Sequence, residues 1–312
     1  MTKVFIDGKA GTTGLKIYDR LTAREVIELR TISEELRKDT EARREMLNTA
    51  DIAFLCLPDV AAREAVSHID NPNTVVIDTS TAHRTSPDWA YGFPELSDEF
   101  FEKIKTSKRI AVPGCHASGF IALVYPLVEA GIVSKDVLLS CFSLTGYSGG
   151  GKSMIADYEN DYRDVLLDSP RQYALSQSHK HIPEMCTVTG INNAPVFCPT
   201  VADFYSGMEV TVPLHKSQLN DGFTFDSIKE VYRNKYKGSM VTFIENADEN
   251  GFLATNILSE CDNMQISLYG NEDRIILVAR YDNLGKGASG AAVECMNISL
   301  GIDKTTSLMI GK

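Results

Sequence analysis

Short apolar runs alternate with amphipathic stretches through the first third of the chain. KVFID (3–7) is apolar and runs into glycines, which predicts a buried strand. TTGLKIYDRLTA (12–23) sets Leu15, Ile17, Tyr18 and Leu21 near helical spacing. VIELRTIS (26–33) reads as strand, TEARREMLNTA (40–50) as helix and IAFLCLP (52–58) as a buried strand. DVAAREAVSHI (59–69) comes next as helix and TVVIDTS (74–80) as strand. Strands alternating with helices over short links predict βαβ units and a parallel sheet, the start of a doubly wound domain.

The texture changes after about residue 130. VLLSCFSLTG (137–146), APVFCPTV (194–201), GMEVTVPL (207–214) and RIILVARYD (274–282) read as longer strands without regular helices between them. That predicts an antiparallel or mixed sheet with one covered face. GKGASGAAVECMNISLG (285–301) reads as one final helix whose small residues permit close packing against the first domain. The expected fold class is therefore α/β. A doubly wound dinucleotide-binding domain covers 1–114 and an α+β catalytic domain with a mixed or antiparallel sheet covers 115–284. The segment 285–312 returns to the first domain.

Composition narrows the function classes. The 312 residues suit two domains. A formal net charge of −11 argues against nonspecific nucleic-acid binding, though a local basic cluster can still hold an anionic substrate. No segment stays apolar long enough to span a bilayer, and MTKVFIDGKAG lacks the pattern of a signal peptide. The seven cysteines are odd in number and scattered, which favours a cytoplasmic protein with reduced thiols.

Several constellations carry chemistry. Gly8, Gly11 and Gly14 form G-x-x-G-x-x-G between the first strand and helix, with Thr12 and Thr13 inside it. Such a turn brings backbone N–H groups to a pyrophosphate at a helix N-terminus. At the end of the second strand an acid usually reads the ribose of NAD. Here Ser33 stands in that place with Arg37 and Lys38 nearby, which fits the 2′-phosphate of NADP; Glu34 and Glu35 leave a merely solvated charged loop as the other reading.

Cys115 follows Pro113-Gly114 and opens an apolar, helical run, where the dipole favours a thiolate. SHKHIPEMC (178–186) supplies His179 and His181 as candidate bases, with Glu184 beyond them. Pro183 predicts an extended segment with both histidines on one side. A zinc site with Cys186 lacks a second ligand pair at metal spacing, so no metal is expected. TGYSGGGKS (145–153) matches both a P-loop and a serine nucleophile elbow. Its place after a late strand suits neither, because the dinucleotide glycines already occupy the first turn, the histidines follow Ser148 quickly and no HGGG-like oxyanion segment precedes it. Its glycines, Gly149 among them, instead let backbone approach a cofactor or substrate.

The ordered set GxxGxxG, PGC, SGGGKS, HIPE, YSGMEVTVPL and DNLGKGASGAA resembles N-acetyl-gamma-glutamyl-phosphate reductase in its shorter form, over nearly the whole chain. The family shares the fold group of glyceraldehyde-3-phosphate and aspartate-semialdehyde dehydrogenases. The resemblance implies NADPH-dependent reduction of N-acetyl-L-glutamyl 5-phosphate, a small acyl phosphate, by a homo-oligomer of two or four copies. It makes Cys115 the acyl-accepting thiolate and His181, or else His179, the acid–base partner. Asp78-Thr79-Ser80 with Arg84 resembles the family's DLS…R segment, which places Ser80 at the cofactor and Arg84 on phosphate or carboxylate. Asn283, with Gly285 and Gly287, would reach the nicotinamide. The family often reads PGCYPT where this chain reads PGCHASG, so His116 and Ser118 stand at expected substrate positions beside Glu184. The rivals are another acyl-phosphate reductase, such as aspartate-semialdehyde dehydrogenase, and a non-catalytic NADP-binding regulator.

Overall fold

The computed structural model describes residues 1–33, 35–37 and 39–311. The chain divides into two compact units, Met1–Gly114 with Ala288–Leu308, and Cys115–Gly287 with the residues from Met309 onward.

In the first unit the order is β1 (Thr2–Asp7), α1 (Thr12–Thr22), β2 (Ile27–Arg30), α2 (Thr40–Thr49), β3 (Ile52–Leu55), α3 (Asp59–Ser67), β4 (Val75–Asp78), β5 (Ala90–Tyr91), α4 (Asp98–Thr106) and β6 (Arg109–Ala111). The strands form one parallel sheet in the order β2-β1-β3-β4-β6-β5. Alternation along β1 explains why both faces are covered. Val4 and Ile6 turn into one core with Ile17 and Leu21 of α1, while Phe5 turns into the other with Leu47 of α2 and Ala65 of α3. Each such fully buried aliphatic side chain stabilises the fold by about 1.5–3 kcal/mol. β2 lies on one side of β1 and β3 on the other, so the sheet's switch point falls at the carboxyl end of β1, where Gly8 comes next.

The second unit begins with α5 (Cys115–Glu129), then β7 (Ser140–Gly146), α6 (Gly151–Tyr158), β8 (Arg171–Gln172), α7 (Ile182–Thr189), β9 (Val196–Ala202), β10 (Met208–His215), α8 (Phe225–Lys235), β11 (Val241–Phe243), β12 (Met264–Gly270) and β13 (Arg274–Tyr281). Its seven-stranded mixed sheet runs β11-β12-β13-β10-β7-β9-β8. The β7–β9 and β11–β12 pairs are parallel and the other neighbours antiparallel. α5 survives Pro126 in its interior because neighbours take over its carbonyls. The Tyr236 hydroxyl donates to the Ala122 carbonyl that Pro126 cannot serve, and Tyr232 donates to Leu123, both at 2.6 Å.

Two expectations are corrected. Helices do stand between the long strands: α6 and α7 separate β7 from β9, and α8 separates β10 from β12. The signals of α8 were in the sequence, since Thr224 and Ser227 form a reciprocal cap and Ile228 and Tyr232 make one buried face. The expected single helix over 285–301 is two elements, a π-turn over Gly285–Ser289 and then α9 (Gly290–Ser299). Every residue from Gly290 to Ile298 is buried, and Ala291, Ala292, Val293 and Met296 pack in the core that holds Val4, Ile6 and Ile17.

Candidate active site

In the first unit, a turn after β1 prepares a phosphate cradle. Gly8 has φ +85°, and a Cβ there would lie 2.2 Å from the Cys56 carbonyl oxygen, beside the end of β3. A Cβ on Gly14 would meet the Gly8 carbonyl oxygen at 2.6 Å. Both positions therefore demand glycine, and what they gain is backbone space at the switch point. The Gly11 N–H donates to the Gly8 carbonyl at 2.9 Å and Gly11 caps α1 without a side-chain hydrogen bond. The amides of Thr12, Thr13 and Gly14 thus open the helix with no acidic residue in its first turn, which suits an anionic pyrophosphate. Beneath this turn Asp7 accepts from Arg43 Nε at 3.1 Å and Nη2 at 2.9 Å. Burial still raises the Asp7 carboxyl above its usual range, against the pull of Arg43. Ser33 and Arg37 are exposed in the loop after β2, whereas Glu34 and Lys38 lie outside the described residues.

The end of β4 holds the DTS…R segment. Asp78 is fully buried and accepts from the Ser80 amide at 2.9 Å and the Ser80 hydroxyl at 2.8 Å, and pairs with His83 Nδ1 at 2.6 Å. The His83 ring stacks on Trp89 with centroids 4.1 Å apart. Arg84 donates through Nε to the Val112 carbonyl and through Nη2 to the Thr79 carbonyl, each at 2.8 Å. Its guanidinium is fixed to two strand ends, in the chain just ahead of the Pro113-Gly114-Cys115 turn. Sequence singles out Arg84 in this loop and gives no sign that His83 and Trp89 hold it.

In the second unit Cys115 is the first residue of the fifteen-residue helix α5, half-buried. Three histidine rings gather at the next residue, His116. His116 lies 5.7 Å from His179 and 5.6 Å from His181, and His179 lies 4.7 Å from His181, centroid to centroid. Phe197 closes the cluster at 5.4 Å from His116. His116 is buried with both ring nitrogens engaged, Nδ1 with the Ser143 hydroxyl and Nε2 with the Tyr173 hydroxyl, each at 2.6 Å. Burial first, and His179 second, push its pKa down to about 3, so the ring is neutral at ordinary pH. The expectation of His116 as a substrate ligand is thereby corrected: its ring is a buried bracket between Ser143 and Tyr173. Burial, reinforced by Lys180, also lowers His179.

His179 and His181 meet for a reason other than the one read from Pro183. Pro183 lies in the first turn of α7, where its fixed φ and missing N–H are harmless, and His181 is the N-cap in helical conformation. The chain turns there instead of extending, and the His181 amide donates to His179 Nδ1 at 3.2 Å. Glu184 on α7 and Ser118 on α5 are both buried. Among the described residues no group of three or more His, Cys, Asp or Glu is arranged to hold a metal ion.

The glycine-rich stretch forms a 3-10 turn over Tyr147–Gly150 and then α6, with Lys152 exposed. Asn283 is buried and spans two loops. It donates to the Ser148 hydroxyl at 3.0 Å and accepts from the Gly207 amide at 2.9 Å, so it holds the Gly149 backbone in place. A Cβ on Gly287 would lie 3.0 Å from Cys115 Cβ, which puts that backbone directly against the thiol-bearing residue.

Residues 9–104 match the semialdehyde dehydrogenase NAD binding domain and residues 115–283 the semialdehyde dehydrogenase dimerisation domain. A protein of Rhizobium etli (strain CIAT 652) called N-acetyl-gamma-glutamyl-phosphate reductase is 44% identical over 96% of this chain and 98% of its own. One from Nostoc sp. called N-acetyl-gamma-glutamyl-phosphate reductase 2 is 40% identical over 98% of this chain and 99% of its own. Among solved structures, aspartate semialdehyde dehydrogenase II of Vibrio cholerae complexed with ASA aligns with a TM-score of 0.70 at 15% identity, covering 96% of this chain and 98% of that one. The aspartate semialdehyde dehydrogenase of Candida albicans with NADP aligns with a TM-score of 0.66 at 13% identity, again over 96% and 98%. These two share the fold; the reductases share the sequence from end to end. The chain belongs to the N-acetyl-gamma-glutamyl-phosphate reductase family, within the semialdehyde dehydrogenases.

Proposed function

We propose that this protein reduces N-acetyl-L-glutamyl 5-phosphate with NADPH to N-acetyl-L-glutamate 5-semialdehyde and phosphate, a step of arginine biosynthesis, in the cytoplasm. The observation that carries the reading is Cys115 at the first position of α5, next in the chain to His116, against whose ring those of His179 and His181 pack. Identity of 40–44% with reductases of that name, against 15% with an aspartate semialdehyde dehydrogenase, favours this substrate over the shorter acid.

The residues set the chemistry. The Cys115 thiolate attacks the acyl carbonyl, its sulfur–carbon bond forms, and the carbon–oxygen bond to phosphate breaks. Amides of the first turn of α5 stabilise the oxyanion. NADPH, when held at the Gly8–Gly14 turn, would supply the hydride that reduces the resulting thioester. The carbonyl carbon accepts it, the carbon–sulfur bond breaks, and the protonated histidine returns a proton to the leaving thiolate. In sum, acyl phosphate, NADPH and a proton become aldehyde, NADP and phosphate. Gly8–Gly14 would hold the dinucleotide, with the Thr12 and Thr13 amides serving its pyrophosphate and Ser33 and Arg37 its 2′-phosphate. Arg84 takes the phosphate or carboxylate of the substrate. Ser80 acts through Asp78, and Asn283 through Ser148 and Gly149. Ser118 and Glu184 shape the buried floor of the substrate site.

The test is the reverse reaction: phosphate-dependent reduction of NADP by N-acetyl-glutamate 5-semialdehyde, run beside aspartate semialdehyde and beside NAD. Turnover should require phosphate and prefer the acetylated substrate. NADP should exceed NAD by about tenfold or more, the worth of a charge-assisted contact of roughly 1.5–3 kcal/mol, and Arg37→Ala should remove most of that preference. Preference for aspartate semialdehyde would select the rival reductase, and no turnover with either would leave a binding protein.

The protein is proposed to act as a homo-oligomer. Register places Phe142, Val196 and Ile276 on the sheet face away from α5, and they are 52%, 56% and 41% exposed. An apolar sheet face of this kind is what a second copy covers. Sedimentation should give a dimer or tetramer, and Phe142→Glu should shift it toward the 34.4 kDa monomer; a monomeric parent would refute the oligomer.

A further inference from the structure

The motif DNLGKGASGAA and the tyrosine before it end up around the nucleophile. Tyr281, the last residue of β13, is fully buried. Its hydroxyl donates to the Cys115 carbonyl at 2.5 Å and accepts from the Gly119 amide at 3.0 Å. These are the two groups that a regular α-helix pairs with each other, so the hydroxyl is seated in the first turn of α5. Gly119 leaves it room: a Cβ there would lie 2.7 Å from the Tyr281 oxygen and 2.6 Å from Val210 Cγ2. No other residue type fits at 119 without driving the hydroxyl off the helix.

The residues after Tyr281 are equally tied. The Asp282 carboxylate is buried and accepts from the amides of Leu284 at 2.6 Å, Gly285 at 2.9 Å and Glu260 at 2.6 Å. The Asp282 carbonyl accepts from the amides of Gly285 and Gly287, each at 3.1 Å. Gly285 is forced to be glycine, since its Cβ would lie 2.0 Å from the Cys261 carbonyl oxygen. This closed turn delivers Gly287 against the Cβ of Cys115. Cys115 is thus gripped at its carbonyl by the first residue of the segment and at its side-chain root by the last.

We propose that Tyr281–Gly287 is a clamp that sets the position of the Cys115 thiol, with the Tyr281 hydroxyl as its fixed point. A hydroxyl that bonds both the carbonyl and the amide of one helical turn pins the peptides that carry them. Here the carbonyl belongs to Cys115, and the bond fixes the direction of Cα–Cβ and the distance from the sulfur to the amides of the turn. Tyr281 and Gly287 are positioning residues, since neither needs to touch substrate. The burial that raises the Tyr281 phenol well above its ordinary range keeps it a permanent donor. The proposal rests on the reading of Cys115 as nucleophile.

The experiment is Tyr281→Phe, which keeps the ring and removes the oxygen. The Cys115 carbonyl and the Gly119 amide then lose their tether to β13 and only the helix's own bonds hold them. With folding checked by unfolding midpoint and NADPH binding, kcat should fall about 10- to 100-fold at nearly constant KM, the cost of misplacing a reacting atom by about an ångström. The pH profile of Cys115 alkylation by iodoacetamide should move as well, because the thiol changes its distance from the helix amides. A merely structural tyrosine would lower the unfolding midpoint and leave the profile and kcat per folded molecule unchanged, and that result would overturn the clamp. Should Tyr281→Phe not fold, Gly287→Ala presses on the same Cys115 Cβ from outside the helix and should give the same pair of changes; parental kcat and alkylation there would overturn it equally. Alkylation needs no substrate, so it reads the clamp even if the substrate assignment fails, while full activity in Cys115→Ser would remove the nucleophile and leave the alkylation result standing.

Discussion

Cys115→Ser should lose activity by on the order of 10⁴-fold or more while NADPH still binds, because a serine hydroxyl is far too weak an acid to ionise at neutral pH and a covalent step cannot be bypassed. The change is nearly isosteric, and the phosphate cradle at Gly8–Gly14 lies in the other unit. Alkylation should single out the same residue. Cys141 and Cys295 are buried. Burial pushes the Cys56 thiol up to about 12 and raises those of Cys186 and Cys261. Cys115 alone opens a long helix, where the dipole favours thiolate. Mass spectrometry after brief iodoacetamide treatment should find Cys115 modified first and activity lost in step with it. A serine variant that keeps substantial turnover, or inactivation that tracks another cysteine, would refute the covalent mechanism.

The sequence made the parallel sheet legible because apolar runs of buried strands and the amphipathic faces of α1, α2 and α3 are local patterns. β1, β3 and β4 end within a few residues of where their apolar runs end. Cys115, His179 and His181 were legible for a different reason, as residue types whose chemistry is scarce. The features that stayed hidden depend on partners far away in the chain. Tyr281 meets Cys115 across 166 positions, and Tyr173 meets His116 across 57. No periodicity or spacing reports such contacts. Asn283 was noticed by resemblance, yet its two hydrogen bonds to Ser148 and Gly207 make it a strut between loops, a role only coordinates reveal. β12 does carry a strand pattern, with Met264, Ile266 and Leu268 alternating with Gln265 and Ser267, but buries both faces, so its polar positions do not mark a solvent side. Pro183 misled because proline suits extended chain and a helix's first turn alike; the Glu184-Met185 pair beyond it, buried on α7, favours the second.

The histidines differ in ways that make the second large effect specific. His181 is buried, whereas His179 is half-exposed with Nδ1 accepting the His181 amide. A neutral His179 therefore carries its proton on Nε2, and its Nδ1 is committed to holding the turn. His116 takes no part in proton transfer, since a ring held at about 3 stays neutral across any working range and both its nitrogens are engaged. In the proposed mechanism that makes His181 the group to ionise the thiol and later return the proton. The His181 side chain makes no capping hydrogen bond to α7, so the helix should persist in His181→Asn. kcat should fall about 10²- to 10⁴-fold, the usual worth of a positioned acid–base. The pH at which Cys115 alkylates at half its maximal rate should rise, because a thiolate deprived of its imidazolium partner is less stable. His179→Asn should cost less in kcat and leave that midpoint nearly in place. If instead His179→Asn moves the midpoint and His181→Asn does not, the acid–base role belongs to His179.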